Sequence, residues 1–224
     1  MARLLRVTGC TVVITIDGPS GVGKSTVSRL VARQLGLAYL DTGATYRAAT
    51  LAILQSGIDT QDETAVVEEL NHRTIDYDER GVLLDGESVA FAVRSEEVTA
   101  NVSAVSAHPM VRSAVVEIQR RWVAFHEDQA VVEGRDIGTV VFPEAPLKIY
   151  LTASPSVRAL RRAAESEAGG KSVAEISEAL AARDHADSTR EASPLKPADD
   201  AVVIDTGEMT VEAVVDSIVA HFLT

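Results

Sequence analysis

Gly18-Pro19-Ser20-Gly21-Val22-Gly23-Lys24-Ser25 reads as G-x-x-x-x-G-K-[ST] without a mismatch. Its flanks suit it. Val12-Val13-Ile14-Thr15-Ile16 is a β-branched run of the kind that forms a buried strand. After the loop, Val27, Leu30, Val31 and Leu35 recur at helical spacing, and Gly36 supplies a stop. Strand, glycine loop and helix thus follow in the order a phosphate site needs. Glycines let backbone N–H groups point inward at phosphate oxygens, and the helix N-terminus adds a favourable dipole. In the stretch Gly18 to Thr26, Lys24 is placed to reach the β- and γ-phosphates of a nucleotide and Ser25 to hold Mg²⁺. The loop alone leaves open what the nucleotide is used for.

A chain of 224 residues suits one compact domain or a core with an inserted subdomain. No stretch approaches the roughly 20 apolar residues of a membrane span, and the N-terminus shows no secretory signal. The expectation is a cytoplasmic protein without a membrane partner. Cys10 stands alone, cannot form an internal disulfide, and is read as a small packing residue. The net charge of −12 argues against nucleic acid as a partner. Basic residues are lopsided, 17 Arg against 4 Lys. Arginine suits bidentate phosphate recognition, but a GC-rich genome has the same effect, so each Arg must be argued alone.

Apolar runs at 12–16, 38–40, 130–133, 147–151 and 201–204 read as strands with helical patterns between them. That alternation predicts an α/β fold: three layers, a five-stranded parallel sheet and helices on both faces. Pro109 opens a helix over 109–126 whose stripe Val111, Val115, Ile118, Trp122 and Phe125 is read as core. Val211, Val214, Val215, Ile218 and Phe222 mark a C-terminal helix. Residues 73–92 break the alternation. Arg73 to Tyr77, Val82 to Leu84 and Ser88 to Phe91, separated by Glu79-Arg80-Gly81 and Asp85-Gly86, predict an inserted three-stranded antiparallel meander. Gly169-Gly170-Lys171 reads as a flexible tip between two helices.

Three more polar constellations follow strand ends or helices. Asp41-Thr42-Gly43-Ala44-Thr45-Tyr46-Arg47 follows the second strand, where a ligand crevice is expected. Thr42 is placed to cap the next helix. Arg47 falls in that helix's first turn, where a cation gains nothing from the dipole and a phosphate ligand explains it. Glu133-Gly134-Arg135-Asp136-Ile137-Gly138-Thr139 ends a strand in an acid, as where a carboxylate supports Mg²⁺ or its waters. Arg158, Arg161 and Arg162 share one helix, and Arg183 to Arg190 follow another. With a triphosphate site present, these read as a mobile arginine-bearing lid. Arg183 and Arg190 share a face if their helix persists. His185 is read as solvated.

The loop, Asp41-Thr42-Gly43-x-x-Tyr46-Arg47, Glu133-Gly134-Arg135-Asp136-Ile137-Gly138-Thr139-Val140-Val141-Phe142-Pro143 and Arg183-Asp184-x-x-Asp187-Ser188-x-Arg190 together resemble bacterial cytidylate kinase. They stand in family order and cover nearly the whole chain. The resemblance implies a P-loop kinase that moves the γ-phosphoryl group of MgATP to CMP or dCMP. It implies a core at 1–58, a CMP-binding insert at 59–108, core again at 109–154, a lid at 155–190 and core at 191–224. It places Arg47, Arg135 and Arg190 on the CMP phosphate. Thr42, Arg112 and Asp136 surround cytosine, and Ser103, Arg183 and Asp187 face the sugar. Tyr46 and Gly134 complete that set, and Arg158 and Arg162 lie near ATP. Lys24, Arg135, Arg162 and Arg190 are then the catalytic cations, and Ser25 holds the metal with Glu133 acting through water. Two positions depart from the common pattern: Glu133 stands where many members have Asp, and Thr42 where many have Ser.

A phosphate monoester is already nearly a dianion at neutral pH, so no general base is required. The catalytic work is alignment and neutralisation of two anionic substrates, with water excluded on closure. The runner-up is another small-molecule P-loop kinase, such as one acting on UMP. A guanine-nucleotide switch is disfavoured by the lack of an Asn-Lys-x-Asp-like reader, and an inactive binding module by intact Lys24 and Ser25. A monomer is expected.

Overall fold

The computed structural model describes residues 12–78, 81–164 and 172–223. In chain order its elements begin with β1 (Val12–Asp17), α1 (Lys24–Leu35), β2 (Ala38–Asp41), α2 (Thr42–Gln55) and α3 (Glu63–Leu70). Then come β3 (Ile75–Asp78), β4 (Gly81–Leu84), β5 (Glu87–Ser88), α4 (Glu96–Val105) and α5 (Pro109–Phe125). The last are β6 (Gln129–Gly134), β7 (Leu147–Thr152), α6 (Pro155–Ala164), α7 (Val173–Thr189), β8 (Val202–Asp205) and α8 (Val211–Leu223). Contacts divide the chain into two units, one made of residues up to Leu40 and from Val123 onward, the other of Asp41–Trp122. Among the described residues no helix is long and apolar enough to cross a membrane.

The first unit is built on a five-stranded sheet of order β2-β6-β1-β7-β8. β1 sits at its centre, parallel to β6 with Ile14 opposite Val131 and parallel to β7 with Ile14 opposite Leu147. All six β1 residues are buried, the pattern of a parallel strand covered on both faces. Ile14, Ile16, Val131, Ile149 and Leu151 pack against Val27 and Val31 of α1 and Val214, Val215 and Ile218 of α8. α6 and α7 share a smaller cluster of Ala159, Ile176 and Leu180. Ser172 and Glu175 close a capping box at the start of α7.

The second unit carries the expected meander, an antiparallel sheet of order β3-β4-β5. Asp85 and Gly86 take φ of 53° and 83° between β4 and β5, the double positive φ that an Asp-Gly hairpin turn needs. α2 is the organising helix. Its Ala48, Ala49 and Ala52 let Ile75, Val82 and Leu84 of the meander pack close. Its Tyr46 and Ile53 join Val66, Val102, Val111 and Val115 from the flanking helices.

Several sequence expectations need correction. Phe125 is not core: it is 84 % exposed at the end of α5, edge-on to His126. The buried face of α5 runs Val111, Arg112, Val115, Gln119 and Val123. At about 100° per residue that face is turned by roughly 60° from the expected apolar stripe, because two polar residues, Arg112 and Gln119, are taken into it. The third meander strand is only Glu87–Ser88, and a 3₁₀ turn at Ala92–Arg94 follows. α2 is capped by Asp41, whose carboxylate accepts from the Ala44 N–H at 3.1 Å, so Thr42 is its first helical residue and not the cap. Arg47 then falls in the second turn, where the dipole argument does not apply. α7 ends at Thr189, and Arg190 is extended beyond it with ψ 142°. Cys10, Glu79-Arg80 and Gly169-Gly170-Lys171 lie outside the described residues.

Ile16→Ala opens a cavity at the sheet centre and is expected to cost about 2–5 kcal/mol of unfolding free energy. Phe125→Ser is expected to stay within about 0.5 kcal/mol. Urea denaturation of both variants checks the pair, and a large loss at Phe125 contradicts the described face of α5.

Candidate active site

Polar side chains gather at the carboxyl ends of β1 and β6, where a parallel sheet presents its loops to ligands. Lys24 opens α1, and its ammonium turns back along the phosphate loop to donate to the carbonyls of Gly18 and Pro19, both at 2.8 Å. Burial, followed by the positive charge of Arg135, lowers its pKa to about 7, while Glu133 and Asp17 oppose the shift. α1 has no capping side chain and no acidic residue in its first turn, so no first-turn carboxylate offsets its positive dipole end. Ser25 and Thr26 are exposed at that end.

The loop after β6 is ordered from β1. The Asp17 carboxylate accepts from the Ile137 N–H at 2.9 Å and the Gly138 N–H at 2.8 Å. Residues Ile137–Val141 form a single π-helical turn, a device frequent at functional sites. A side chain at Gly138 would bring its Cβ to 2.8 Å from the Thr15 hydroxyl, so the turn packs against β1 only with glycine there. Burial pushes the Asp17 carboxyl up to about 6, against the two backbone bonds, which pull it down.

That turn sets the residues before it. Arg135 Nε donates to Asp187 Oδ2 at 2.9 Å. Arg190 lies between two carboxylates, 3.7 Å from Asp136 Oδ1 and 3.6 Å from Asp187 Oδ1, and its Nε donates to the Ser193 carbonyl at 2.6 Å. Burial raises the Asp187 carboxyl, but Arg135, Arg183 and Arg190 outweigh it and hold the group below the usual range. Two carboxylates thus hold two guanidinium groups, and planar guanidinium matches oxyanions in a two-pronged way. Glu133 is buried and accepts the Tyr39 hydroxyl.

The second unit holds its own candidates. Thr42 is buried in the first turn of α2. Arg112 lies over the Tyr46 ring at 5.2 Å and donates to the Ser106 carbonyl at 3.1 Å. Arg47 donates to the Val93 carbonyl at 3.1 Å and the Thr99 hydroxyl at 2.9 Å. Ser103 is half-buried on α4.

The structure therefore brings Lys24, Gly134, Arg135, Asp136, Asp187 and Arg190 into one group, with Arg183 as a charge neighbour. Arg158 reaches the phosphate loop by donating to the Ser20 carbonyl at 3.1 Å. Arg162 is half-buried on α6. Sequence reasoning missed Asp17, Asp184 and Thr206. The Asp17 signal was present: a carboxylate ending an otherwise apolar strand directly before the loop. Among the described residues no cluster of three or more His, Cys, Asp or Glu is arranged to hold a metal.

A family profile described as cytidylate kinase matches residues 14–224. A cytidylate kinase of Streptomyces avermitilis is 49% identical over 212 residues, covering 93% of this chain and 91% of that protein. One of Rhodococcus opacus is 50% identical over 211 residues, covering 92% of each. A sugar kinase from a Janibacter species, known in an unliganded crystal structure, superposes with TM-score 0.50 at 17% identity over 94% of both chains, a likeness of fold alone.

The Asp17 pKa of about 6 lies above its ordinary 3.8, so the native state binds this proton more tightly than the unfolded chain. Asp17 stabilises fully below about pH 4, and that contribution is lost as pH rises through 6. The stability advantage of wild type over Asp17→Asn should therefore shrink between pH 4 and 7 by on the order of 3 kcal/mol. Urea titrations across that range check it, and a constant difference contradicts the assignment.

Proposed function

The chain belongs to the cytidylate kinase family and transfers the γ-phosphoryl group of ATP to CMP or dCMP, and we propose the following division of labour among its residues. The loop Gly18–Thr26 takes the ATP phosphates through backbone N–H groups, with Lys24 as the charge nearest the bond that breaks. Arg135 and Arg190 take the acceptor phosphate together with Arg47. Thr42, Arg112 and Asp136 read cytosine, and Ser103, Arg183 and Asp187 read the sugar, with Tyr46 and Gly134 beside them. Residues 155–190 act as the lid, with Arg158 and Arg162 on the ATP side. The observation that carries this reading is the Arg135–Asp187 and Arg190–Asp136 pairing beside a buried lysine in a phosphate loop.

The acceptor phosphate is an anion before it attacks, so no residue is assigned to remove a proton. What must be overcome is repulsion between two anions. Arginines already clamped by Asp136 and Asp187 lose little freedom when they engage an oxyanion, which is the advantage of preorganisation. Mg²⁺ needs few protein ligands because it keeps waters and phosphate oxygens around itself. The exposed Ser25 hydroxyl beside Lys24 fits that requirement, and Glu133 supports it through water. When bound, the ion neutralises charge on the β- and γ-phosphates. The use of ATP supports a cytoplasmic location.

ADP release from MgATP, measured with each nucleoside monophosphate in turn, tests the reading. CMP and dCMP should be turned over well ahead of UMP, AMP and GMP, and no turnover of CMP overturns it. Lys24→Ala should retain less than about one tenth of wild-type turnover, a loss of at least ~1.4 kcal/mol of transition-state stabilisation, with the fold intact. Asp187→Ala should lower kcat/KM for CMP and dCMP by factors that differ roughly five-fold or more, because the two differ only at the 2′-hydroxyl. Equal losses on both substrates mean that Asp187 only positions Arg135 and Arg190.

A further inference from the structure

Asp184 lies one turn before Asp187 on α7 and has no part in the division of labour above. Its two oxygens have different partners. Oδ1 accepts from the backbone N–H of Ser20 at 3.2 Å, and Oδ2 pairs with Arg158 Nη1. The same Nη1 donates to the Ser20 carbonyl at 3.1 Å. Ser20 is the third residue of the phosphate loop, so side chains from α6 and α7 hold both of its backbone polar groups. The ion pair is sheltered: the Arg158 and Asp184 side chains are 9% and 17% exposed.

This contact completes a pattern along the loop. The carbonyls of Gly18 and Pro19 accept from Lys24, that of Ser20 from Arg158, and that of Val22 from the Thr206 hydroxyl at 3.2 Å. A loop that binds phosphate through its N–H groups must turn its carbonyls away. Arg158 and Thr206, which unlike Lys24 are not assigned to the phosphates of the breaking bond, therefore hold the loop in its binding form before any ligand arrives. Arg158 alone does not fix its own guanidinium, because an arginine has rotamers to lose. Asp184 removes that freedom and ties Arg158 to the loop with one carboxylate, a stronger arrangement than neutral bonds of the same geometry.

We infer that Asp184 is a positioning residue for the donor nucleotide, acting through the Ser20 peptide and the Arg158 guanidinium. The inference rests on the assignment of this loop and of Arg158 to ATP. Asp184 faces the donor side of the reaction, whereas Asp187, three residues on, holds the arginines assigned to the acceptor. One turn of α7 thus serves both substrates with different carboxylates. Asparagine cannot replace Asp184: with its one oxygen on the Ser20 N–H it turns an NH2 donor toward Arg158, and with that oxygen on Arg158 it turns the NH2 toward the Ser20 N–H.

Steady-state kinetics of Asp184→Asn, Arg158→Ala and the double variant test this, with CD melts as a check on folding. Asp184→Asn should raise KM for ATP at least five-fold and leave KM for CMP within two-fold. In the Arg158→Ala background it should add less than two-fold to KM for ATP, since residues that act through one another are not additive. The inference is overturned if KM for ATP moves less than five-fold, if both KM values rise alike, or if the two single effects multiply in the double variant. If Asp184→Asn does not fold, Asp184→Glu carries the test under the same criteria, because it keeps the charge and displaces it by one methylene. Wild-type turnover of CMP is measured alongside. Its absence defeats the assigned function, whereas its presence with an unchanged KM for ATP in Asp184→Asn defeats only this inference.

Discussion

A single buried carboxylate ties the chemistry of the first unit to its sheet. Asp17 ends the central strand, directly precedes the phosphate loop, and accepts the N–H groups of Ile137 and Gly138 from the loop after β6. Burying that charge is unfavourable, as its raised pKa indicates. What the cost secures is register between two loops that are 120 residues apart in sequence. Arg135 and Asp136 stand immediately before the anchored turn, so their direction follows from where Asp17 holds it.

Charge balance is the second constraint. The chain is strongly acidic, yet Lys24, Arg135, Arg158, Arg183 and Arg190 crowd one region of the first unit. Each of three arginines there is paired: Arg135 with Asp187, Arg158 with Asp184, Arg190 with Asp136 and Asp187. Without these carboxylates the cations would repel one another at short range, and Lys24 already has a lowered pKa in part because of Arg135. With the carboxylates present, the guanidinium groups are held in place and still keep donors for an oxyanion, since each has five N–H groups and spends only some of them.

The legibility of the parts follows their locality. The phosphate loop and the Asp85-Gly86 turn are set by residues adjacent in the chain, and both stand where the sequence pattern puts them. The five strands do as well, most plainly β1, which is buried on both faces and is an unbroken β-branched run from Val12 to Ile16. α5 is the instructive failure. Its apolar stripe points one way by periodicity, but the helix buries Arg112 and Gln119 and leaves Phe125 in solvent. Arg112 is accommodated because the Tyr46 ring and the Ser106 carbonyl meet its guanidinium. Tyr46 lies on α2 and Ser106 just after α4, and neither leaves a mark in the apolar pattern of α5. Arg190 behaves similarly: the helix stops before it, and it reaches Asp136 and Asp187 from an extended segment.

The amino-acid sequence by itself determined the fold class, the phosphate loop and the family. Each depends on short motifs whose geometry is enforced by bonded neighbours, glycine φ freedom and strand or helix periodicity. Only the tertiary structure decided which carboxylate faces which cation. Asp17, Asp136, Asp184 and Asp187 are chemically identical in the sequence. Their roles separate only where folding brings a backbone N–H to hydrogen-bonding distance or a guanidinium within ion-pair distance, a distance set by packing between segments far apart in the chain.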